Sequence, residues 1–419
     1  IGREARSEFG ESLAPEQADR LMLGSTILFY TKDAGRPVRY IPPAFAKDIT
    51  KTPIPESRII RSGDSGCHYW WIEWGGELDP VHDNERIRNE LWAVIYGIWD
   101  YIKNSGKFDA DRLTLEWVGA VPGKREYRRF VGDYTLTQND ILDQTPFADR
   151  IAFGGWSIDL HPPGGMYAGS GGSRHVHPNG VYHIPYRCLY SVNVGNLLFA
   201  GRNISATHVA FGSTRVMATC AALGEAAGAA AALCAKYGVS PRGIYEKHME
   251  ELQQTLLKRD ASIVGIPNRD PHDLARTARV TASRWRTRLA AEPPPGAAAE
   301  PYPLRTAAGL LVPVHPEIRS VSFLVDANRP TVLEAELWHT GRAENYVPYG
   351  KVAAAAIGVP AGRGLWVDVP LAWTPPEPQN GFIIVRANPH LSLYLTDLRL
   401  TGALIFRHDE TDDAAPQLE

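Results

Sequence analysis

The stretch from Asn196 to Gly238, NLLFAGRNISATHVAFGSTRVMATCAALGEAAGAAAALCAKYG, constrains the fold more than any other. It places a short apolar run, a polar loop and a long small-residue helix in unbroken succession. Asn196 to Ala200, ended by Gly201, reads as a parallel strand buried on both faces, where alternation disappears because neither face meets water. Ligands gather where such strands end. Ser213 is the expected N-cap of a helix from Thr214 to about Lys236, stopped by Gly238 as a left-handed C-cap. A helix N-terminus carries about half a positive charge and free N–H donors, so it stabilises a phosphate or a reduced flavin ring. Arg215 adds a full charge there. Ala221, Gly224, Ala227, Gly228 and Ala231 leave one side of the helix bare, which lets a sheet or a cofactor approach the backbone. A glycine costs about 1 kcal/mol against alanine in a helix interior, so two of them imply a packing reason. A buried core helix with no ligand satisfies the same composition.

The rest of the chain fits a large folded protein. Its 419 residues, 44 % hydrophobic, bury substantial cores and suggest two or three domains. A net charge of −3 is too small to indicate nucleic-acid or membrane-surface binding. No uninterrupted apolar run approaches the roughly 20 residues of a membrane span. Cys67, Cys188, Cys220 and Cys234 are far apart with no C-x-x-C pair, which argues against a metal knuckle or redox dithiol and leaves the compartment open.

Residues 1 to about 80 read as loops and short strands, with RIIRSG and CHYWWIEWGG as an aromatic-rich hairpin. From Asp83 the period turns helical through Ile87, Leu91, Val94, Ile95, Ile98 and Ile102, with Gly106 as the stop. Leu113 to Val118 alternates as a strand, and a second helix is expected from about Arg242 to Leu257. Pro293 to Pro303 is too proline-rich for a helix or an inner strand and reads as a linker or long surface loop. Beyond it SVSFLVDA, TVLEAELWHT, GLWVDVPLAW, GFIIVRANP and SLYLTDLRLTGALIFRH have a period of two and indicate an antiparallel β-sandwich. Ala278 to Trp285 is the candidate first strand.

The run from Tyr182 to Gly228 resembles the C-terminal flavin-binding signature of a family of FAD-dependent oxidoreductases related in fold to glutathione reductase and the fumarate reductase flavoproteins. Ile1 to Glu16, Lys124 to Ile141 and Gly154 to Gly165 resemble further segments of that family. The resemblance implies an α/β (α+β) flavoprotein fold with an inserted substrate domain, ahead of the sandwich. Residues 1–150 would form the substrate or cap domain and 151–270 the C-terminal part of the FAD-binding domain. Residues 271–303 would be linker and possible first sandwich strand, and 304–410 the sandwich, which weakly resembles galactose-binding modules. The cofactor implied is FAD, bordered by Gly201, Arg202, Asn203, Ser205, His208, Gly212, Ser213, Thr214, Arg215 and Met217, with the AGR turn meeting the ribityl or pyrophosphate. No G-x-G-x-x-G turn occurs in the sequence. The adenosine half of the site is therefore expected on a preceding N-terminal segment or a separate chain.

A flavin supplies the redox step, so the protein must place a substrate carbon and move a proton. Histidine suits that task, with an ordinary pKa near 6.5. His208, between the strand end and the helix cap, is the first candidate, although its ring also fits a purely packing role. His161 and Arg215 join it as catalytic candidates. His175 and His177, on a glycine-rich loop, and Tyr186 and Arg187 are candidates for substrate binding. His-x-His also chelates metals, but with no third ligand in view no metal is expected. Trp338 or Trp373 would stack on sugar rings if exposed. Two classes remain: an FAD-dependent oxidoreductase passing a hydride from a small polar, carbohydrate-type substrate to flavin, or a carbohydrate-active lyase or binding protein on a scaffold that has lost its cofactor. The expected partners are a small molecule and the missing FAD-binding segment, with neither nucleic acid nor membrane, and a homo-oligomer is left open.

Overall fold

The computed structural model describes residues 1–283, 288, 290, 301–396 and 399–407. The chain divides into two compact units, the first comprising Ile1–Pro178 and Tyr182–Asp270, the second Asn179–Val181 and Pro271–Glu419.

The first unit contains, in chain order, α1 (Arg6–Phe9), β1 (Ser25–Thr26), β2 (Phe29–Asp33), α2 (Ile54–Ser57), β3 (Glu73–Trp74), α3 (Asn84–Asn104), β4 (Leu113–Val118) and α4 (Gln138–Asp143). There follow β5 (Arg150–Gly154), β6 (Ile158–Leu160), β7 (Arg174–Val176), β8 (Tyr182–Pro185), α5 (His208–Thr214), α6 (Met217–Tyr237), α7 (Pro241–Lys247) and α8 (Met249–Lys258). Its strands form antiparallel pairs: β1 with β3, β2 with β4, β5 with β8, β6 with β7. It holds two cores. One gathers Ile27, Phe29, Tyr69 and Met166 around the apolar face of α3, where Ile87, Leu91, Val94, Ile95, Ile98 and Ile102 are all buried. Each such side chain contributes about 1.5–3 kcal/mol on burial, so this face is a substantial part of what holds that core together. The other core packs Ile158, Tyr182 and Phe199 against Leu223 and Leu233 of α6 and Leu252 and Leu256 of α8. Residues 1–150 and 151–270, expected as two domains, thus lie in one unit with two cores, apart from Asn179–Val181.

Gly97 shows how tightly α3 is seated. A Cβ there would lie 2.0 Å from the Lys47 carbonyl oxygen. Gly97→Ala is therefore expected to reverse the usual helix preference of about 1 kcal/mol for alanine and to destabilise by about 1–3 kcal/mol. Denaturant unfolding checks the sign, and a stabilised variant would show that the contact relaxes without cost.

Several expectations are corrected. Asn196–Ala200 forms no parallel strand; Leu198 makes one antiparallel bridge with Tyr190, and the lone parallel bridge among the described residues joins Leu136 to Ala206. A buried parallel strand needs parallel neighbours, and the described residues supply none. The long helix does not start at Ser213. Val216 takes extended backbone, φ −69° and ψ 147°, and splits it into α5, capped by Thr207, and α6. The 59–76 region folds as a 3-10 turn followed by β3 instead of a hairpin, because β3 pairs with distant β1. The helix expected over 242–257 breaks at His248, and Pro241 starts its first half under the Ser240 cap. α6 also has the length and the mean hydropathy, 1.4, of a membrane span, contrary to the reading of the sequence. That hydropathy comes largely from alanine, and Leu223, Ala226, Ala230 and Leu233 face the core.

The second unit is built of β9 (Pro301–Pro303), β10 (Ala308–Val314), β11 (Val321–Ala327), β12 (Thr331–His339), β13 (Gly350–Val359), β14 (Gly362–Val369), β15 (Gln379–Val385), β16 (Leu391–Tyr394) and β17 (Leu404–Phe406). They make a five-stranded sheet, β13-β12-β15-β10-β17, and a four-stranded sheet, β14-β11-β16-β9, antiparallel throughout. One core takes Leu333, Ala335, Leu337, Ile383 and Val385 from the first and Val325, Val367, Val369, Leu391 and Leu393 from the second. Residues 278–283 are not a strand, and Arg284 and Trp285 lie outside the described residues, so β9, a proline-bearing edge strand, comes first instead. Pro293 to Glu300 of the expected linker also lie outside them. Trp338 and Trp373 are half-buried against apolar clusters, which removes them as free sugar-stacking platforms.

Candidate functional site

α5 begins where the N-terminal segment meets residues 123–130. Thr207 Oγ1 accepts the Ala210 N–H at 3.1 Å and donates to Glu11 Oε1 at 2.6 Å, so the cap is itself anchored. The His208 backbone N–H donates to Glu4 Oε2 at 2.8 Å. Its ring Nδ1 lies 3.1 Å from Glu126, whose side chain is fully buried. Glu126 also accepts the Leu23 N–H at 3.0 Å and Arg129 Nε at 3.1 Å. Arg129 in turn reaches Glu4 at 2.6 Å and the Ala206 carbonyl at 2.7 Å. Burial pushes the Glu126 carboxyl up, but the His208 ring, Arg129 and the Leu23 amide outweigh it and hold the group below the usual carboxylate range. His208 Nε2 has no hydrogen-bond partner among the described residues.

A second cluster stands at the joint between α5 and α6. Arg215 Nη2 donates to Asp159 Oδ2 at 2.7 Å and lies 3.1 Å from His161 Nε2. His161 Nδ1 is 2.7 Å from Glu73 Oε2, and its Nε2 is 3.3 Å from Asp159. Arg125 pairs with Glu73 and donates to the Trp70 carbonyl at 3.0 Å, while the Trp70 ring meets His161 edge-on at 5.4 Å. Asp159 reaches this position because Gly212 has no side chain: a Cβ there would come within 3.1 Å of the Asp159 carbonyl oxygen. Asp159 Oδ1 makes no hydrogen bond and lies 3.6 Å from His175 Nε2. His175 is held by Ser157 at 2.7 Å and Ser173 at 3.0 Å, and the exposed His177 stacks on it.

Burial disfavours the charged form of His161, but the two carboxylates outweigh it and raise its pKa above 6.5. Asp159 and Glu73 are lowered despite their own burial, chiefly through His161 and the arginines. A raised histidine stabilises the fold fully below 6.5 and loses that contribution as pH rises through the folded value; the lowered carboxylates stabilise above their ordinary values, 3.8 and 4.5, and lose it as pH falls. Thermal stability is thus expected to peak between about pH 4.5 and 6.5. His161→Gln should flatten the alkaline limb, and an unchanged limb in that variant would exclude His161 as its source.

Three expectations fail here. Tyr186 is not a substrate ligand, since its ring lies in the core and its hydroxyl donates to the Pro241 carbonyl at 3.1 Å. Arg187 is committed to Asp149, at 2.9 and 3.1 Å, and sits against the Tyr134 and Tyr245 rings. Ser213 is no cap; its hydroxyl pairs with Tyr182 at 2.7 Å and the Trp156 carbonyl at 2.6 Å. Ser205 is buried against Thr135, and the Asn203 carbonyl accepts the Phe130 N–H, so both serve the loop's own structure. Arg202 and Met217 are exposed and Gly201 buried. Arg125, Glu126, Glu73 and Asp159 escaped the sequence reading. Only Asp159 carried a local signal, since it lies in β6 two residues before His161. Among the described residues no three His, Cys, Asp or Glu side chains are placed to hold a metal. The cavity of about 120 Å³ between Tyr190–Gly195 and Ser240–Arg242 is lined by none of these groups.

Donors without partners collect at the joint. Thr214 Oγ1 and Arg215 Nε are buried and unbonded, and α6 starts with no side-chain cap on its first N–H groups. A hydroxyl, a guanidinium and free amides fit the electron-rich edge of an isoalloxazine ring. Thr214, Arg215 and these amides are the groups that would hold such a ring. Over residues 1–256 the sequence matches the family model described as FAD dependent oxidoreductase, and the chain belongs to that family. It is an enzyme whose cofactor is FAD. No curated protein and no solved structure matches the chain.

Proposed function

We propose that this enzyme oxidises a C–OH group of a small polar, hydroxyl-rich substrate of carbohydrate type, with His208 taking up the hydroxyl proton. The observation that carries the reading is the bare Nε2 of a histidine whose Nδ1 is committed to Glu126. A neutral imidazole in that tautomer presents one lone pair as a base. Bound FAD supplies the two-electron acceptor for the hydride leaving the substrate carbon. As the C–H and O–H bonds break and C=O forms, Nε2 holds the proton and Glu126 offsets the imidazolium charge. Thr214 and Arg215 are the residues assigned to the flavin. Arg125 and Arg215 are already paired with Glu73 and Asp159, so much of their charge is offset and they draw an anion less than unpaired arginines would. That supports a neutral substrate.

The bare flank of α6, where Ala221, Gly228 and Ala231 are exposed, supports a further protein segment, on this polypeptide or a separate chain, that carries the pyrophosphate-binding turn. The shared core of the two antiparallel sheets supports reading the second unit as a β-sandwich of the galactose-binding type. The test is to load the protein with FAD in the presence of that segment and offer sugars and polyols beside 2-hydroxy acids and amines, following loss of the oxidised flavin absorption. Bleaching by a neutral hydroxyl compound is expected. Bleaching by acids or amines alone overturns the substrate class.

A further inference from the structure

We infer that Glu126 is the positioning residue of the reaction: it fixes the tautomer of His208 so that the proton sits on Nδ1 and the lone pair on Nε2. The inference deepens the proposed function and rests on it for its catalytic meaning, but the tautomer itself is a property of the resting protein.

The geometry assigns the roles. Both Glu126 oxygens lie 3.1 Å from His208 Nδ1. An ionised carboxylate only accepts, so Nδ1 must donate. Glu126 cannot swing away, because the Leu23 amide holds Oε2 at 3.0 Å and Arg129 Nε holds Oε1 at 3.1 Å. Arg129 is pinned in its turn by Glu4 and by the Ala206 and Gly2 carbonyls. The backbone that carries the ring is held as well, since Glu4 takes the His208 backbone N–H at the start of α5. Two of these anchors, Glu4 and Gly2, come from the first residues of the chain, so the N-terminal segment is part of the device. The same logic separates His208 from His161, whose two nitrogens both face carboxylates and which therefore has no lone pair free for a substrate proton. A carboxylate behind a histidine orients the ring and raises its basicity, and behind metal-binding histidines the loss of such a partner costs about 10–100-fold in metal affinity or activity.

The test uses the full-length protein with nitrogen-15 in its histidines, without substrate. Long-range proton–nitrogen spectra recorded through a pH series, with His208 assigned by its loss in His208→Asn, are expected to show the proton on Nδ1 and a bare Nε2 in the neutral form of the ring. Glu126→Gln, which keeps the shape and removes the charge, is expected to mix the tautomers. With the substrate found by bleaching, the same variant should lower the rate of flavin reduction at saturating substrate by about 10–100-fold, leaving KM and flavin content unchanged, and Glu126→Asp should recover part of the rate. A proton on Nε2 in the wild type, or one unchanged tautomer in both proteins, overturns the inference. If Glu126→Gln does not fold, the wild-type spectrum alone decides. Should the tautomer prove right while His208→Ala reduces flavin at the normal rate, the base assignment fails and with it the role of Glu126 in the reaction, and only the tautomer stands.

Discussion

His208→Ala is expected to slow substrate-driven flavin reduction by about 10²–10⁴-fold, the range that a positioned general base contributes, with FAD still bound. Binding should survive because the donors that fit the flavin, Thr214 Oγ1, Arg215 Nε and the first amides of α6, do not depend on the imidazole. The loss should lie in the rate at saturating substrate, since a base acts on a proton in flight and adds little to ground-state affinity. Stopped-flow absorbance separates flavin content from reduction rate. His208→Asn serves as a second probe: it retains a polar group of similar reach but cannot take the proton. A reduction rate within a few-fold of wild type in both variants removes His208 from the mechanism and moves the search to the second cluster.

The second large effect is on stability. Glu73→Ala is expected to cost about 3–5 kcal/mol, because removing one member of a buried ion network leaves the others charged, desolvated and unpaired. Glu73 is only 3 % exposed. It holds Arg125, His161 and the Gly24 N–H at once, so its loss strands three donors. The surface pair Lys32–Glu116, 3.6 Å apart and more than half exposed on both sides, is the control. Glu116→Ala should cost less than about 1 kcal/mol, the ordinary worth of an exposed pair. Urea unfolding of the three proteins gives the comparison, and equal costs for the two variants would mean that the Glu73 network is screened like a surface contact.

Family membership confirms the oxidoreductase class and the cofactor and removes the cofactor-free lyase alternative. The periodic elements were read with small error. α3 buries the six side chains that the spacing selected, and β4 has the limits given by alternation, Leu113 to Val118. β12 sends Leu333, Ala335 and Leu337 inward while Val332 and Glu334 stay exposed. β13 escaped because its alanine run carries no β-branched signal, and it becomes a strand only by pairing with β12 from Thr331 to His339. The α5–α6 break at Val216, beside Arg215 and its pairing with Asp159 from another element, carries no local signal.

What the sequence determined by itself was every feature set by near neighbours: helical and strand periods, the Gly238 stop, the flavoenzyme signature and the cluster of histidines worth testing. Which of those histidines has both ring nitrogens committed and which has only Nδ1 committed was decided by tertiary structure alone. Glu126 lies 82 residues from His208, and Glu73 lies 88 from His161. A carboxylate's effect on an imidazole falls off over a few ångströms of space, and separation along the chain says nothing about that distance until the backbone has folded.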